Sequence, residues 1–221
     1  MYINAQELAK KGEIIFSIDE MTGIQALERL YPDKPIQPGS CTKIEFEYKR
    51  NGTQTLIAGR NVATGEVIAK CRQTRNECDF LDFIKMLEKE NPEVSRIHVV
   101  LDNLNIHISE SLVKYVAKVT KRKDDLGKKG KKGILQSIKT REKFLTNPDH
   151  KIVFHYTPKH ASWMNQIEIW FGILNNKVIK RGSFPSISDL KKKIVAFIDY
   201  YNKTMAKPFK WTYAGAVLEG H

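Results

Sequence analysis

Apolar residues along this chain recur in two rhythms, and the change from one to the other marks out its elements. Two short runs, EIIFSID closing at Asp19 and RIHVVLD closing at Asp102, are β-branched and almost wholly apolar. Such runs belong to strands covered on both faces, as in a parallel sheet. Between them, IEFEYKR alternates Ile44, Phe46 and Tyr48 with polar residues, Asn51-Gly52 offers a tight turn, and TLIAG and VATGEVIAK follow. This predicts an antiparallel meander with hairpin turns. A three-and-four rhythm then takes over. Phe80, Phe83, Ile84 and Leu87 share one face of a helix over 76–90, and residues 109–119 form another with Ser109 as its N-cap. KIVFHY predicts one more strand. Met164, Ile167, Phe171, Leu174 and Val178 make the stripe of a further helix, and Leu190, Ile194, Phe197, Ile198 and Tyr201 that of a last one over 187–204. A strand reached through a crossover helix normally lies parallel to an earlier one, so the run ending at Asp102 is expected beside the run ending at Asp19.

The remaining stretches lack either rhythm. Residues 1–12 predict a short helix or linker. Residues 21–43 contain three prolines and two glycines and predict an excursion from the sheet. The tail KPFKWTYAG is expected to pack its aromatic residues across the domain.

Composition adds partners and compartment. At 221 residues and 41% hydrophobic the chain is long enough for one domain with insertions. Its formal charge of +12, from 37 basic against 25 acidic residues, points to a polyanion, although a solvated basic surface has the same balance. The excess concentrates between Lys118 and Lys143, around DDLGKKGKKG. This segment reads either as a mobile solvated insertion or as one that touches nucleic acid through Lys121, Arg122, Lys123, Lys128, Lys129, Lys131 and Lys132, with Lys159 further on. Its spacing is wrong for a P-loop. Cys41, Cys71 and Cys78 form no CxxC pair, which argues against a disulfide framework or zinc site and for a reducing cytoplasm. No apolar run has the length of a signal peptide core or a membrane span.

The candidate chemistry is carboxylate. Glu168 sits roughly 80° from the centre of its helix stripe, flanked by Trp163, Trp170 and Phe171, where a charge is expected to be partly desolvated and to need a cation or a partner. Asp19 and Asp102, each ending a buried strand, point into the crevice at the carboxyl edge of the sheet. Together the three predict a magnesium site with oxygen ligands only. Glu20 should face the other way, as a structural or supporting group. His107 and His160 could orient a phosphate or a metal-bound water, or be hydrogen-bonded packing residues. Asn103, Asn105 and Asn165 could hold the acids, with Asn165 the best placed, one turn before Glu168. Trp163 is expected in the core.

The order of elements, a three-stranded meander, a helix, a strand, a helix, a strand and two helices, resembles the ribonuclease H-like fold of polynucleotidyl transferases. FSIDE, VVLDNLNIH and YTPKHASWMNQIEIWF, with RGSF and NKTMAKPFKWTY, are similar to the catalytic domain of insertion-sequence-630 family transposases in the Tc/mariner superfamily, over nearly the whole chain. The resemblance implies an α/β ribonuclease H-like domain over 1–221, with a mixed five-stranded sheet flanked by helices. It implies a clamp-like insertion over 21–43 after strand 1 and, from the long interval between Asp102 and Glu168, a basic insertion over 118–147 before the last strand. It implies that Asp19, Asp102 and Glu168 form a DDE triad binding two magnesium or manganese ions. That triad would hydrolyse phosphodiesters at transposon ends and transfer the freed 3′-hydroxyl into target DNA, usually at a TA step. Double-stranded DNA, a homodimer in the DNA complex, and a bacterial cytoplasmic location at the nucleoid go with it. The amino-terminal helix-turn-helix region of the family has no counterpart here, so a fragment, a split-frame product or a decayed copy is expected. A stand-alone nuclease of this fold and an inactive basic DNA-binding remnant are the alternatives.

Overall fold

The computed structural model describes residues 2–31, 38–39, 46–122, 125–158 and 161–212. A short helix α1 (Ala5–Lys10) leads into β1 (Glu13–Arg29), β2 (Tyr48–Asn61) and β3 (Val67–Arg72). Then come α2 (Glu77–Glu90), β4 (Arg96–Leu101), α3 (Glu110–Val119), α4 (Ile138–Leu145), β5 (Ile152–Tyr156), α5 (Ile167–Leu174) and α6 (Ile187–Thr204). The five strands form one sheet in the order β3-β2-β1-β4-β5. β1 to β3 are antiparallel, whereas β4 and β5 run parallel to β1. This is the mixed five-stranded sheet expected of a ribonuclease H-like domain.

Helices cover both faces. Phe80, Phe83, Ile84 and Leu87 of α2 pack with α3 and α4 on Phe16 and Ile18 of β1, Val99 of β4 and Phe154 of β5. On the other face Ile167, Trp170 and Leu174 of α5 and Leu190 and Ile194 of α6 cover Ile24, Ala26, Leu56 and Ala58. Each such aliphatic or aromatic side chain contributes about 1.5–3 kcal/mol relative to exposure, which holds helices as short as α5 that could not persist alone. α2 and α3 start where polar caps predict: the Asn76 side chain accepts from the Asp79 N–H, and that of Ser109 from the Leu112 N–H. α6 is capped in the same way by Ser186.

Three expectations need correction. The first strand does not end near Asp19 but continues to Arg29, so residues 21–29 of the expected 21–43 insertion belong to the sheet. An irregularity between Met21 and Ile24, with Gly23 at φ +67°, reverses the side-chain alternation and buries Ile24 and Ala26. That reversal hid the strand period from the sequence. Asn51-Gly52 is not a turn: β2 continues through it with a bulge, Gly52 taking φ +116°, and the Asn51 amide donates to Glu28 (2.9 Å) and to the Phe184 carbonyl (3.1 Å). The hairpin lies further on, at residues 62–65. Finally, the basic 118–147 segment is not a solvated appendage throughout. Leu135, Phe144 and Leu145 are buried in the α2/α3 core, and Arg141 is buried too; Ser137 and Thr140 close a capping box at the start of α4.

Candidate active site

The site is assembled by strand register. Ser17 of β1 pairs with Val100 of β4 in the parallel ladder, so two residues further on Asp19 and Asp102 lie side by side at the carboxyl end of β4. Asp19 is buried, Asp102 half-buried. Contrary to the expectation that it ends its strand, Asp19 lies inside β1 and pairs with Ala58 of β2 on the other flank.

The third acid is brought by α5, and what fixes α5 is a polar node on β1. The helix has no side-chain cap of its own. Instead the Ser17 hydroxyl, two residues before Asp19, accepts from the Ile167 N–H (2.9 Å) and donates to the side-chain oxygen Oδ1 of Asn165. The Asn165 amide donates in turn to the Ile18 carbonyl (2.8 Å) and to Asp19 Oδ2 (3.2 Å). Both side chains are wholly buried, so the node joins the start of α5 to Asp19. Glu168 follows in the first helical turn, its N–H donating to the Asn165 carbonyl. Arg60 of β2 braces the other side of that turn: fully buried, it donates to Gln166 Oε1 (2.9 Å) and to the Lys207 carbonyl (2.7 Å) beneath the Phe209 ring.

Glu168 itself is exposed, a correction to its expected place between aromatic rings. Trp170 and Phe171 lie buried beneath it, Trp163 stands 56% exposed on a 3-10 turn before the helix, and Met164 also belongs to that turn. The helix starts only at Ile167 because Asn165 and Gln166 are committed to the node. The residual burial of the carboxyl and the charge of Asp102 still push Glu168 up from the ordinary range.

Asp102 is held from behind by His107, which is completely buried. His107 Nδ1 lies 2.9 Å from Asp102 Oδ1, and Nε2 lies 3.0 Å from Glu20 Oε1. Burial alone would lower the imidazole; the hydrogen bonds it donates to both carboxylates overcome this and raise His107 to about 9, favouring an imidazolium bridging two acids. Burial pushes the Asp102 carboxyl up, but His107, the Leu104 N–H (3.1 Å) and the charge of Arg75 leave it below its ordinary value. Glu20 faces away from Asp19, as expected. The alternation of β1 puts it on the α2 side, with His107 packed against Phe80. Asn103 is mostly exposed, its amide donating to the Thr157 carbonyl (2.5 Å) and tying the ends of β4 and β5. Asn105 is exposed and makes no hydrogen bond with another described residue.

Asp19 has the most perturbed carboxyl of the three. Burial, opposed by the Glu20 N–H and reinforced by the charges of Asp102, Glu20 and Glu168, raises it to about 7. Among the described residues no three acid, histidine or cysteine side chains are drawn close enough to hold a metal ion as they stand. The donor set nevertheless fits a hard divalent cation. Asp19, Asp102 and Glu168 offer oxygen only, they repel one another, and no basic side chain lies within ion-pairing distance of Asp19 or Glu168 among the described residues.

Lys121, Arg122, Lys128, Lys129, Lys131 and Lys132 are all exposed. Lys123, Lys159 and His160 lie outside the described residues, as do part of the expected clamp and the end of the tail. Of the tail aromatics, Phe209 covers Arg60 and Trp211 meets Tyr2 edge-on at 4.9 Å. Ser17, Arg60 and Gln166 escaped sequence reasoning; the available signal was a small polar residue on the Asp19 face of an otherwise apolar strand. Among the described residues no helix is long and apolar enough to cross a membrane.

Solved structures with this fold include the Mos1 transposase paired-end complex with the left transposon end, at 11% identity and a TM-score of 0.53. That match covers 95% of this chain and 54% of the Mos1 chain, so the present chain spans about half the length of that relative. A pre-cleavage Mos1 transpososome matches at 11% identity over 89% of this chain and 52% of that one, with a TM-score of 0.47. The magnesium-bound HTLV-2 integrase catalytic core matches at 11% identity over 81% of each chain, with a TM-score of 0.39. No curated protein sequence matches the chain. Residues 14–191 match the family described as DDE superfamily endonuclease, and with most of its length accounted for in this way, sheet, helices and all three acids included, the chain belongs to that family.

Proposed function

We propose that this chain is the catalytic domain of a DNA transposase of the insertion-sequence-630 type. In this reading it hydrolyses phosphodiesters at transposon ends and transfers the resulting 3′-hydroxyl into target DNA, with Asp19, Asp102 and Glu168 as its catalytic carboxylates. The observation that carries the reading is the register of β1 against β4 together with the Ser17–Asn165 node, because these set three acids from remote parts of the sequence around one edge of the sheet. Two magnesium or manganese ions bound by these carboxylates would supply activation of the attacking oxygen and neutralisation of phosphate charge.

The chain's own residues do the holding. Asn165 fixes one oxygen of Asp19 and His107 one oxygen of Asp102, which limits the rotamers of both acids and leaves their remaining lone pairs for ligation. Glu168, exposed on a short helix, is the acid free to adjust. Orientation of the DNA falls to the exposed lysines of the 118–147 segment, a basic insertion in this reading. A homodimer in the DNA complex suits the far end of the β1/β2 ribbon, where Leu30, Tyr31, Phe46 and Tyr48 are exposed beside the proposed clamp-like insertion. The corresponding location is the bacterial cytoplasm, at the nucleoid when on DNA.

The test is incubation with manganese and a DNA carrying the element's own ends. Joined products are expected, and Asp102→Asn should reduce nicking at least about a thousandfold, the loss expected when a charge-stabilising group at a reacting centre is removed, while leaving DNA binding within a few fold. Nicks without joining would select a stand-alone nuclease. Gel shifts without cleavage would select a binding remnant, and cleavage by Asp102→Asn at the wild-type rate would overturn the site.

A further inference from the structure

A cleft of ≈ 400 Å³ lies beside the carboxylates, between the start of α2, the 3-10 turn after β4 (Asn105–Ile108) and the tip of the lysine-rich segment. Arg75, Asn105 and Lys129 line it, with Arg141 also on its wall. Arg141 is committed, since its Nε donates to the Ile108 carbonyl (2.7 Å) and its guanidinium also reaches the Leu135 carbonyl (3.2 Å). Arg75 and Lys129 are different. Both are exposed, and neither makes an ion pair or hydrogen bond with another described residue. The charge of Arg75 nevertheless reaches Asp102, and Glu77 is the one acid on the cleft wall.

Lys129 is not there by the wandering of a mobile loop. Residues 128–132 form a tight reversal, with the Lys128 N–H donating to the Lys132 carbonyl (2.9 Å) and the Lys132 N–H to the Lys128 carbonyl (3.1 Å). Gly127, Gly130 and Gly133 take positive φ, and a side chain at Gly127 would run into the Lys132 backbone. Leu126 roots the reversal in the α2/α3 core and accepts from the Leu135 N–H (3.0 Å). GKKGKKG is therefore a built projection that carries four lysines and brings Lys129 to the cleft that Arg75 also lines.

A guanidinium, an ammonium and an amide lining one open cleft match a phosphodiester: a planar fork for two oxygens and a point charge for the rest. We infer that this cleft clasps one backbone phosphate of the DNA strand that crosses the carboxylates, through Arg75 from the β3–α2 connection and Lys129 from the hairpin tip. The inference rests on the DNA-processing reading above and specifies where the strand leaves the site.

The test uses Arg75→Gln and Lys129→Gln, singly and together, with Lys191→Gln/Lys192→Gln on α6 as a control of equal charge loss. Binding of a fluorescein-labelled duplex of arbitrary sequence is followed against salt with calcium replacing the catalytic cation. Each contacted phosphate contributes about −0.9 to the slope of log K against log salt, so the double variant is expected to flatten the slope by about one and the control to leave it unchanged. In manganese, single methylphosphonates placed along the strand should reveal one position near the nick where loss of charge slows wild-type nicking but not that of the double variant. Both side chains are exposed, so all variants should melt with the wild type. An unchanged slope, an equal change in the control, or no such position overturns the inference while leaving the transposase reading intact; a wild-type protein that neither binds nor nicks overturns that reading itself.

Discussion

The His107 bridge makes a quantitative prediction. His107 is fully buried between Asp102 and Glu20, whose side chain is also buried and whose second carboxylate oxygen has no hydrogen-bond partner. Replacing His107 by Gln removes the charge that compensates Glu20. Breaking a buried pair from one side typically costs about 3–5 kcal/mol, on the order of 10 °C in melting temperature for a domain of this size. The pKa gives a second route to the magnitude: the rise from 6.5 to about 9 is worth about 3 kcal/mol at about 1.4 kcal/mol per pH unit. Because the folded value lies above the unfolded one, this stabilisation is complete below pH 6.5 and is lost as pH rises through about 9. Urea unfolding in EDTA between pH 6 and pH 10 should therefore show wild-type stability falling across that window while His107→Gln stays nearly flat. The double variant Glu20→Gln/His107→Gln should recover much of the loss at neutral pH, since neither partner is then an orphaned charge. A single-variant cost below about 1 kcal/mol, or parallel pH profiles for wild type and variant, would refute an imidazolium shared by two acids.

Other features give shorter tests. Asn165→Ala strips hydrogen bonds from Ser17, Ile18 and Asp19; a loss of about 2–4 kcal/mol in denaturant stability is expected, with nicking by the folded fraction reduced more than DNA affinity, and unchanged nicking per folded molecule would remove Asn165 from the positioning of the acids. With Asp19 at about 7 in the metal-free protein, manganese has to displace its proton in more acidic solution, so calorimetric affinity should weaken about tenfold per pH unit below pH 7; an affinity flat from pH 5.5 to 7 would separate Asp19 from the metal. Leu135→Ala should destabilise the whole domain by about 2–5 kcal/mol, because this residue of the basic segment lies in the main core; a change confined to local protease sensitivity would show that segment to be an appendage after all.

How much could be read from the sequence followed from the range of the forces involved. The faces of α2 and α6 and the cap Ser109 depend on neighbours a few residues away and stand where the pattern places them. Asp19 and Asp102 stood out as candidates because an acid closing an apolar stretch is conspicuous, and Glu168 because it interrupts an apolar and aromatic one. What could not be read depends on partners remote in sequence. The Gly23 irregularity hides the second half of β1, and Asn51-Gly52 is taken up as a bulge within β2, not as its end, because Glu28 and Phe184 hold the Asn51 amide. Lysine density masks the roots of the 118–147 segment. Ser17 caps a helix that begins 150 residues later, a pairing no local pattern announces. Glu168 proved exposed because the turn before it is committed to that cap, so the helix starts at the buried Ile167 and leaves Glu168 and Ile169 facing outward.

The unbroken course of β1 has a mechanical consequence. Asp19 sits in the middle of a strand of 17 residues, and from it a two-stranded ribbon runs onward to Arg29 and Tyr48. No loop separates Asp19 from the ribbon's far tip; the two irregularities in its ladder, between Met21 and Ile24 and between Gln25 and Leu27, are each paired on either side. A body gripping that tip therefore holds a lever whose other arm carries the Asp19 carboxylate, and under the proposed function docking at one end would bear on the alignment of the acids at the other.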